Sequence, residues 1–299
     1  MNASAPPPDL YCVMGHPVEH SRSPWIHARF AALTGQALRY ERRLVPLDGF
    51  AQALAEFAAA GGRGCNITVP FKLEAAQLAT QRSERVQLAG AANTLRFADG
   101  EIYADNTDGL GLVADVAHNA GFALAGRDVL LVGAGGAAAG ALGPLLAAGP
   151  RRVAVANRTL ARAQALVQSH APLAALHKTE LSAHTPQALE GNLTPNGTFD
   201  IVINASASSL AGDAVPVPAS VLRPGALAYD MMYGPAAQGF LDWARAHGAQ
   251  PRDGLGMLVE QAAEAFAIWR GVRPPSAAVL AELRALMAQP AFASGTHAH

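Results

Sequence analysis

Only two of the 22 basic residues are lysines, Lys72 and Lys178; the rest are arginine. An ammonium can lose its proton near neutral pH when its surroundings shift its pKa, and a guanidinium cannot. A lysine in a chain that otherwise writes arginine therefore invites a chemical explanation. Lys72 closes the run "GCNITVPFK", where Asn66 and Thr68 alternate with apolar residues and so share one face of an expected strand. In "ADNTDG", Asp105 and Asp108 bracket Asn106 and Thr107. Either run alone is an ordinary strand end or turn. Ligands of open α/β sheets, however, sit beyond the carboxyl ends of strands, where Asn66 and Lys72 fall, so these are candidates for a substrate cleft.

Gly133-Ala134-Gly135-Gly136-Ala137-Ala138 fits G-x-G-x-x-A between the apolar "VLLV" and an Ala-rich run, a context that favours dinucleotide binding over a merely tight turn. Gly133 permits the turn, Gly135 admits a pyrophosphate to the backbone, and Ala138 keeps the helix close to its sheet. An anion is expected at that helix N-terminus. Where an NAD enzyme places Asp or Glu at the end of the next strand, this chain has Asn157, Arg158 and Thr159, with Arg162 one turn on. An acid there would repel a 2′-phosphate, whereas guanidiniums and a hydroxyl accept it, so NADP is favoured over NAD. The competing reading is that Arg158 and Arg162 are solvated charges at a helix start.

"GHPVEHSRSPWIH" contains His16-x-x-Glu19-His20, the letters of an inverted zinc-protease motif. Such a site needs both histidines on one uninterrupted helix face, and Pro17 and Pro24 argue against that helix. No metal is expected. Ser21 and Ser23 instead read as a loop before a helix, placed either to cap it or to bind a carboxylate.

The elements around these residues alternate strand and helix. "LYCVMGHP", "LRYERRLVPL" and "GCNITVP" read as strands, and "PWIHARFAAL", "GFAQALAEFAAAGG" and "FKLEAAQLA" as the helices between and after them. "AANTLRFADGEIYADNTD" reads as a hairpin turning at Asp99-Gly100. From "GLGLVADVAHNAGF" the pattern restarts with a βαβ unit and the further strands "FDIVINAS" and "ALAYDMM". Alternation of this kind implies mostly parallel sheets with helices on their faces. "GLGMLVEQAAEAFAIWRG" and "PSAAVLAELRALMA" are two closing helices, "HTPQALEGNLTPNG" reads as loop-rich surface, and "FASGTHAH" as a frayed tail.

Length and charge bound the partners. A chain of 299 residues, about half hydrophobic, favours two domains, and a net charge of −1 gives no electrostatic case for nucleic acid or an anionic membrane. No apolar run approaches the ~20 residues of a membrane helix, and "MNASAPPPDLY" lacks the regions of a signal peptide, so a cytoplasmic protein acting on a small molecule is expected. Cys12 and Cys65 belong to no CxxC pair and are expected to be reduced.

"GHPVEHSRSPWIHARF", "GCNITVPFK", "AANTL", "DNTDG", "VGAGGAA", "ANRT" and "DGLGMLVEQAAEAFAIW", in that order from Gly15 to Trp269, closely resemble the shikimate dehydrogenase family. The resemblance implies a substrate-binding catalytic domain over residues 1–108, completed by 254–299, and a Rossmann-like NADP-binding domain over 109–253. It implies reduction of 3-dehydroshikimate to shikimate by NADPH, in aromatic amino-acid (chorismate) biosynthesis, by a monomer or homodimer. Ser21 and Ser23 would then bind the substrate carboxylate, and Asn66, Thr68, Asn93, Asp108 and Gln261 the ring hydroxyls. Lys72 would be the acid/base oriented by Asp108. Tyr233 would lie close to the substrate and Met257 near the nicotinamide. Gly133, Ala134, Gly135, Gly136, Ala137, Asn157, Arg158, Thr159 and Arg162 would hold the rest of the cofactor. The chemistry agrees from below, because hydride transfer to a carbonyl leaves an oxygen anion that a lysine can protonate or stabilise. Arg22, Ala28, Gln238 and Ser209 depart from the family pattern, Ser209 standing where glycine is usual. Two rival readings are a quinate/shikimate dehydrogenase using NAD or NADP, and a non-catalytic dinucleotide-binding sensor, for which loss of Lys72 or Asp108 would be the sign; both are present.

Overall fold

The computed structural model describes residues 7–189 and 197–289. The tail read at "FASGTHAH" and residues 190–196 of the loop-rich segment lie outside the described residues. The chain divides into two compact units, residues 1–107 with 259–299, and residues 108–258.

The first unit opens with β1 (Asp9–Gly15), α1 (Ser23–Thr34), β2 (Leu38–Leu44), α2 (Phe50–Ala59), β3 (Gly62–Ile67) and α3 (Lys72–Leu78). It continues with β4 (Gln81–Arg82), α4 (Glu84–Ala89), β5 (Thr94–Ala98) and β6 (Glu101–Asp105). The strands form one sheet in the order β2-β1-β3-β5-β6-β4. β1 pairs parallel with β2 and β3, and β4 with β6, whereas β3–β5 and β5–β6 are antiparallel. The hairpin turns where expected: Asp99 and Gly100 both take positive φ, 53° and 78°, which matches the twist of the strands they join. Phe50, Leu54 and Phe57 fall on one face of α2 at helical spacing and are buried. They join Cys12, Met14, Cys65, Ile67 and Leu95 in the core against that sheet.

The second unit runs α5 (Asp108–Ala114), a π-helical turn at Asp115–Asn119, β7 (Asp128–Val132), α6 (Gly136–Ala147), β8 (Arg152–Ala156), α7 (Leu160–Leu176) and β9 (Glu180–His184). It then runs β10 (Phe199–Asn204), α8 (Ser208–Ala211), β11 (Leu222–Asp230), α9 (Gln238–Ala246) and β12 (Gln250–Arg252), and enters α10 (Leu255–Arg270), within which the division between the units falls. α11 (Ser276–Met287) ends the first unit. All six strands are parallel, in the order β12-β11-β10-β7-β8-β9, the doubly wound arrangement whose switch point lies between β7 and β10. β7, β8 and β10 are buried throughout, which is why their middles read as the apolar runs VLLV, VAVA and IVI. Among the described residues no helix is long and apolar enough to cross a membrane.

Two sequence expectations shift. The strand drawn through Thr68 ends at Ile67, and Thr68 carries the ladder only one bond further, its amide donating to Met14 O at 2.9 Å. No side chain caps α1: Arg22 holds the cap position, Ser23 is already the first helical residue, and the Ser21 hydroxyl accepts the Ser23 amide at 3.3 Å.

Candidate active site

In the first unit the carboxyl ends of β1, β3 and β6 and the antiparallel start of β5 meet at one edge of the sheet, because Asn66 pairs in register with Thr94, and Thr94 with Asp105. Asn66, Asn93, Thr94, Thr107 and Gln261 are all buried there. Their amides have fixed orientations. Tyr40 donates its hydroxyl to Asn66 Oδ1 at 2.8 Å, so the Asn66 amide nitrogen faces Asn93 O at 3.2 Å and Thr94 Oγ1 at 3.1 Å. Asn93 Oδ1 accepts the Thr107 amide at 2.8 Å and the Thr94 hydroxyl at 3.0 Å, which leaves Asn93 Nδ2 donating to Thr107 Oγ1 at 3.0 Å and Gln261 Oε1 at 3.2 Å. A buried polar network satisfied in this way is rigid, and it fixes where these side chains stand before any ligand arrives.

The turn that carries Thr107 is itself anchored. The buried Asp105 carboxylate accepts Ser83 Oγ at 2.7 Å, Arg85 at 3.0 and 2.7 Å, and the Asn106 amide at 2.7 Å. Lys72 begins α3, half-buried, and its carbonyl accepts the Ala92 amide at 2.8 Å, which ties the lysine's backbone beside Asn93. Thr68 packs against Gly15, where a Cβ would come within 2.3 Å of Thr68 Cγ2. Ser21 lies in the loop ahead of α1, its carbonyl gripped by Arg42 through bonds of 3.0 and 2.7 Å, and Ser23 is buried behind it. His16 to His20 form a bend and a turn rather than a helix. His16 Nδ1 lies 2.8 Å from Val45 O, and the Glu19 carboxylate accepts the Val18 amide at 3.1 Å.

Beneath these groups His27 is fully buried, stacked on Tyr40 at 4.3 Å and 6° between rings, with no hydrogen-bond partner among the described residues for either ring nitrogen. Burial lowers its pKa from 6.5 to about 3, so it is neutral at physiological pH. Burial likewise pushes the Tyr40 phenol well above its ordinary value, which keeps it a donor to Asn66. Tyr40, Thr94 and Thr107 went unassigned in the sequence, although Thr107 sits inside "ADNTDG" and Tyr40 alternates with charged residues along β2.

In the second unit Asp108 is the buried first residue of α5, Tyr233 is half-buried just past β11, and Met257 is buried in the first turn of α10. The glycine turn between β7 and α6 has the shape a dinucleotide needs. Gly133 takes φ +113°, and a Cβ there would meet Ala205 backbone atoms at 3.0 Å. Gly135 and Gly136 face open space, and the first bond within α6 is Ala139 N to Gly135 O at 2.9 Å, so the amides of Gly136, Ala137 and Ala138 precede it. Ala134 beside them is half-buried. Free amides aimed past two glycines suit a pyrophosphate. At the end of β8, Asn157 donates to Thr159 O at 2.9 Å, while Arg158, Thr159 and Arg162 are exposed. Among the described residues no ion pair involves Arg158 or Arg162, and no cluster of three metal-ligating side chains occurs. The residues present therefore fit a dinucleotide carrying an extra phosphate.

The chain matches family models described as the shikimate dehydrogenase substrate binding domain over residues 13–95, shikimate / quinate 5-dehydrogenase over 115–211, and the shikimate 5′-dehydrogenase C-terminal domain over 254–284. It is 78% identical over 280 residues to the shikimate dehydrogenase (NADP(+)) of Acidovorax sp. (strain JS42), covering 94% of this chain and 97% of that one. The crystal structure of an Ael1 enzyme from Pseudomonas putida superposes with a TM-score of 0.85 at 49% identity, covering 92% of this chain and 98% of that one. A shikimate 5-dehydrogenase from Thermus thermophilus, crystallised with NADP(H) and shikimate, gives 0.78 at 30% identity over 93% and 99%.

Proposed function

The chain belongs to the shikimate dehydrogenase family, and on that premise we propose that its two units divide the work, residues 1–107 with 259–299 carrying most of the substrate-binding residues and residues 108–258 the NADP(H)-binding turn. It is an NADP-dependent oxidoreductase that reversibly reduces 3-dehydroshikimate to shikimate. The observation that carries the substrate reading is the fixed array Asn66, Asn93, Thr107 and Gln261 at the carboxyl edge of the first sheet. A ring with several hydroxyls needs such donors and acceptors, and a site built to bond each hydroxyl rejects analogues that lack one by several kcal/mol, roughly 10⁴-fold or more.

Ser21 and Ser23 are assigned to the carboxylate, Asn66, Thr68, Asn93, Asp108 and Gln261 to the ring hydroxyls, and Tyr233 to the substrate's surroundings. Lys72 Nζ is assigned the proton given to the carbonyl oxygen during reduction and recovered during oxidation, with Asp108 as its acidic counterpart. Bound NADPH supplies the hydride. Gly133, Ala134, Gly135, Gly136 and Ala137 are assigned to the pyrophosphate, Met257 to the nicotinamide, and Asn157, Arg158, Thr159 and Arg162 to the adenosine end with its 2′-phosphate. The cytoplasm is the proposed location, since Cys12 and Cys65 lie opposite each other on β1 and β3 as free thiols.

Steady-state oxidation of shikimate and of quinate with NADP and with NAD tests the reading. The expected result is a kcat/KM highest for shikimate with NADP. Equal or better turnover of quinate with NAD would replace it with a quinate/shikimate dehydrogenase, and no turnover of either would support a sensor.

A further inference from the structure

The segment after β10 lies against the glycine turn, since the atoms a Cβ at Gly133 would strike belong to Ala205 and Ser206. The short helix α8 that follows buries none of its four residues, and Leu210 within it is 69% exposed. Ala205 is held by the core and by its amide bond to Val132 O at 2.8 Å, but apolar packing does not hold the residues that follow it; their anchorage is polar. The Ser209 hydroxyl donates a short hydrogen bond to Asp230 Oδ2 and accepts from Asn204 Nδ2 at 2.9 Å. Asn204 Nδ2 also reaches Asp230 Oδ2 at 3.3 Å, while Asn204 Oδ1 accepts the Ser206 hydroxyl at 2.7 Å. The Met232 amide closes the other side of the carboxylate, donating to Asp230 Oδ1 at 2.9 Å.

Asp230 is wholly buried, and among the described residues no ion pair reaches it. Burial accordingly raises its pKa above the usual carboxylate value. A carboxylate placed without a cation depends on each hydroxyl and amide that bonds to it, and Ser209 is the one of these carried by the exposed segment. A glycine or alanine at this position would have no hydroxyl to offer, so the bond belongs to the Ser209 side chain alone.

We propose that Ser209 and Asp230 latch residues 206–209 against the Gly133 turn, and that this latch makes Ser209 a positioning residue that sets the affinity for NADP(H). The proposal rests on the reading that the dinucleotide binds at that turn. Without the bond the segment must be ordered when the cofactor arrives, and affinity falls by the cost of ordering it. A residue serving stability alone would shift the melting temperature and leave cofactor affinity and local exchange where they were.

The test compares Ser209→Ala, Ser209→Gly and Ser209→Thr with the unaltered chain, without substrate. NADPH affinity is read from nicotinamide fluorescence, and hydrogen exchange of residues 205–213 is read in the cofactor-free protein. Removing the hydroxyl, as Ala or as Gly, is expected to weaken NADPH binding roughly 10–150-fold, in line with loss of a hydrogen bond to a charged group, and to speed exchange across that segment. Thr keeps the hydroxyl and is expected to restore both, and KM for shikimate at saturating NADP is expected to stay put. If the unaltered chain binds NADPH and Ser209→Ala binds it equally, or if Thr behaves like Ala, the latch is refuted alone. If the unaltered chain does not bind NADPH, the cofactor reading falls and the proposal with it.

Discussion

His27 makes the stability of the first unit depend on pH in a way that can be isolated. Its ring is fully buried among Tyr40, Phe30, Phe266 and Trp269, and burial lowers its pKa from 6.5 to about 3. Between those values the unfolded chain binds a proton that the folded chain refuses. The stability His27 contributes as a neutral ring is therefore complete above about pH 6.5 and is lost as pH falls towards 3, at up to about 1.4 kcal/mol per pH unit. Between about pH 7.5 and 5.5 the loss amounts to about 1.4 kcal/mol. His170 and His184 are lowered too, also chiefly by burial, so the total slope does not belong to His27 alone. His27→Phe keeps a ring in the aromatic stack and removes this titration only. Urea unfolding of both proteins, followed by tryptophan fluorescence in a Trp243→Phe background, leaves Trp25 and Trp269 to report on the first unit. The stability difference between the two proteins should move by about 1.4 kcal/mol over that pH range, the histidine form losing more. A difference that does not change with pH would mean that the His27 nitrogens have solvent or a partner, and the closed aromatic cage described here would be wrong.

Lys72→Ala should lower kcat by roughly 10²–10⁴-fold while leaving NADPH binding nearly intact, and a mutant that keeps most of its kcat removes Lys72 from proton transfer. Arg158→Ala should raise KM for NADP by roughly one to two decades and leave KM for NAD almost unchanged, since it deletes a charge-assisted bond to the 2′-phosphate; equal losses with both cofactors would defeat the phosphate assignment. Gly256→Ala should destabilise the second unit by about 3–5 kcal/mol, read by calorimetry. Its Cβ would fall 1.8 Å from Asp115 Oδ1, a fully buried oxygen that cannot retreat, because Arg252 grips that carboxylate at 2.5 and 2.8 Å and Tyr229 at 2.8 Å. A melting temperature unchanged by the substitution would show that the ion pair is loose.

What could be read in advance followed the range of the interactions involved. The glycine turn was legible because its demands are local: a buried strand, a positive φ at Gly133 and a helix start all lie within a few residues. Asp99-Gly100 was legible for the same reason. β9 and β12 were not read, being half-exposed edge strands without an apolar run, and β4 is two exposed residues. α4 carries local signals of its own, since Ser83 caps it through the Val86 amide and Gly90 ends it at φ 64°. The bonds among Asn93, Thr107 and Gln261 join positions up to 168 residues apart, and no spacing rule reaches that far. Tyr40 was hidden differently: on a strand of charged residues its ring reads as surface, and only the register of β2 against β1 turns it towards His27 and Asn66.

The divided first unit has a consequence for how the chain is made. Its amino-terminal part ends at residue 107, and the helical stretch that completes it begins at Val259, inside α10. Until those helices emerge from the ribosome, Tyr11 lacks the Trp269 ring stacked on it at 4.6 Å, Leu95 O lacks the indole donor at 2.9 Å, and Asp9 lacks Arg270. At ~5–20 residues per second, the roughly 180 residues from 108 to 289 occupy roughly 9–36 s of translation. The second unit, continuous in sequence, is synthesised whole within that interval. Nascent chains stalled near residue 289, with the closing helices still inside the ribosome, should therefore carry a protease-resistant 108–258 core behind an amino-terminal part that is still cleavable, and chaperones that bind exposed apolar strands would find their target in β1 and β3.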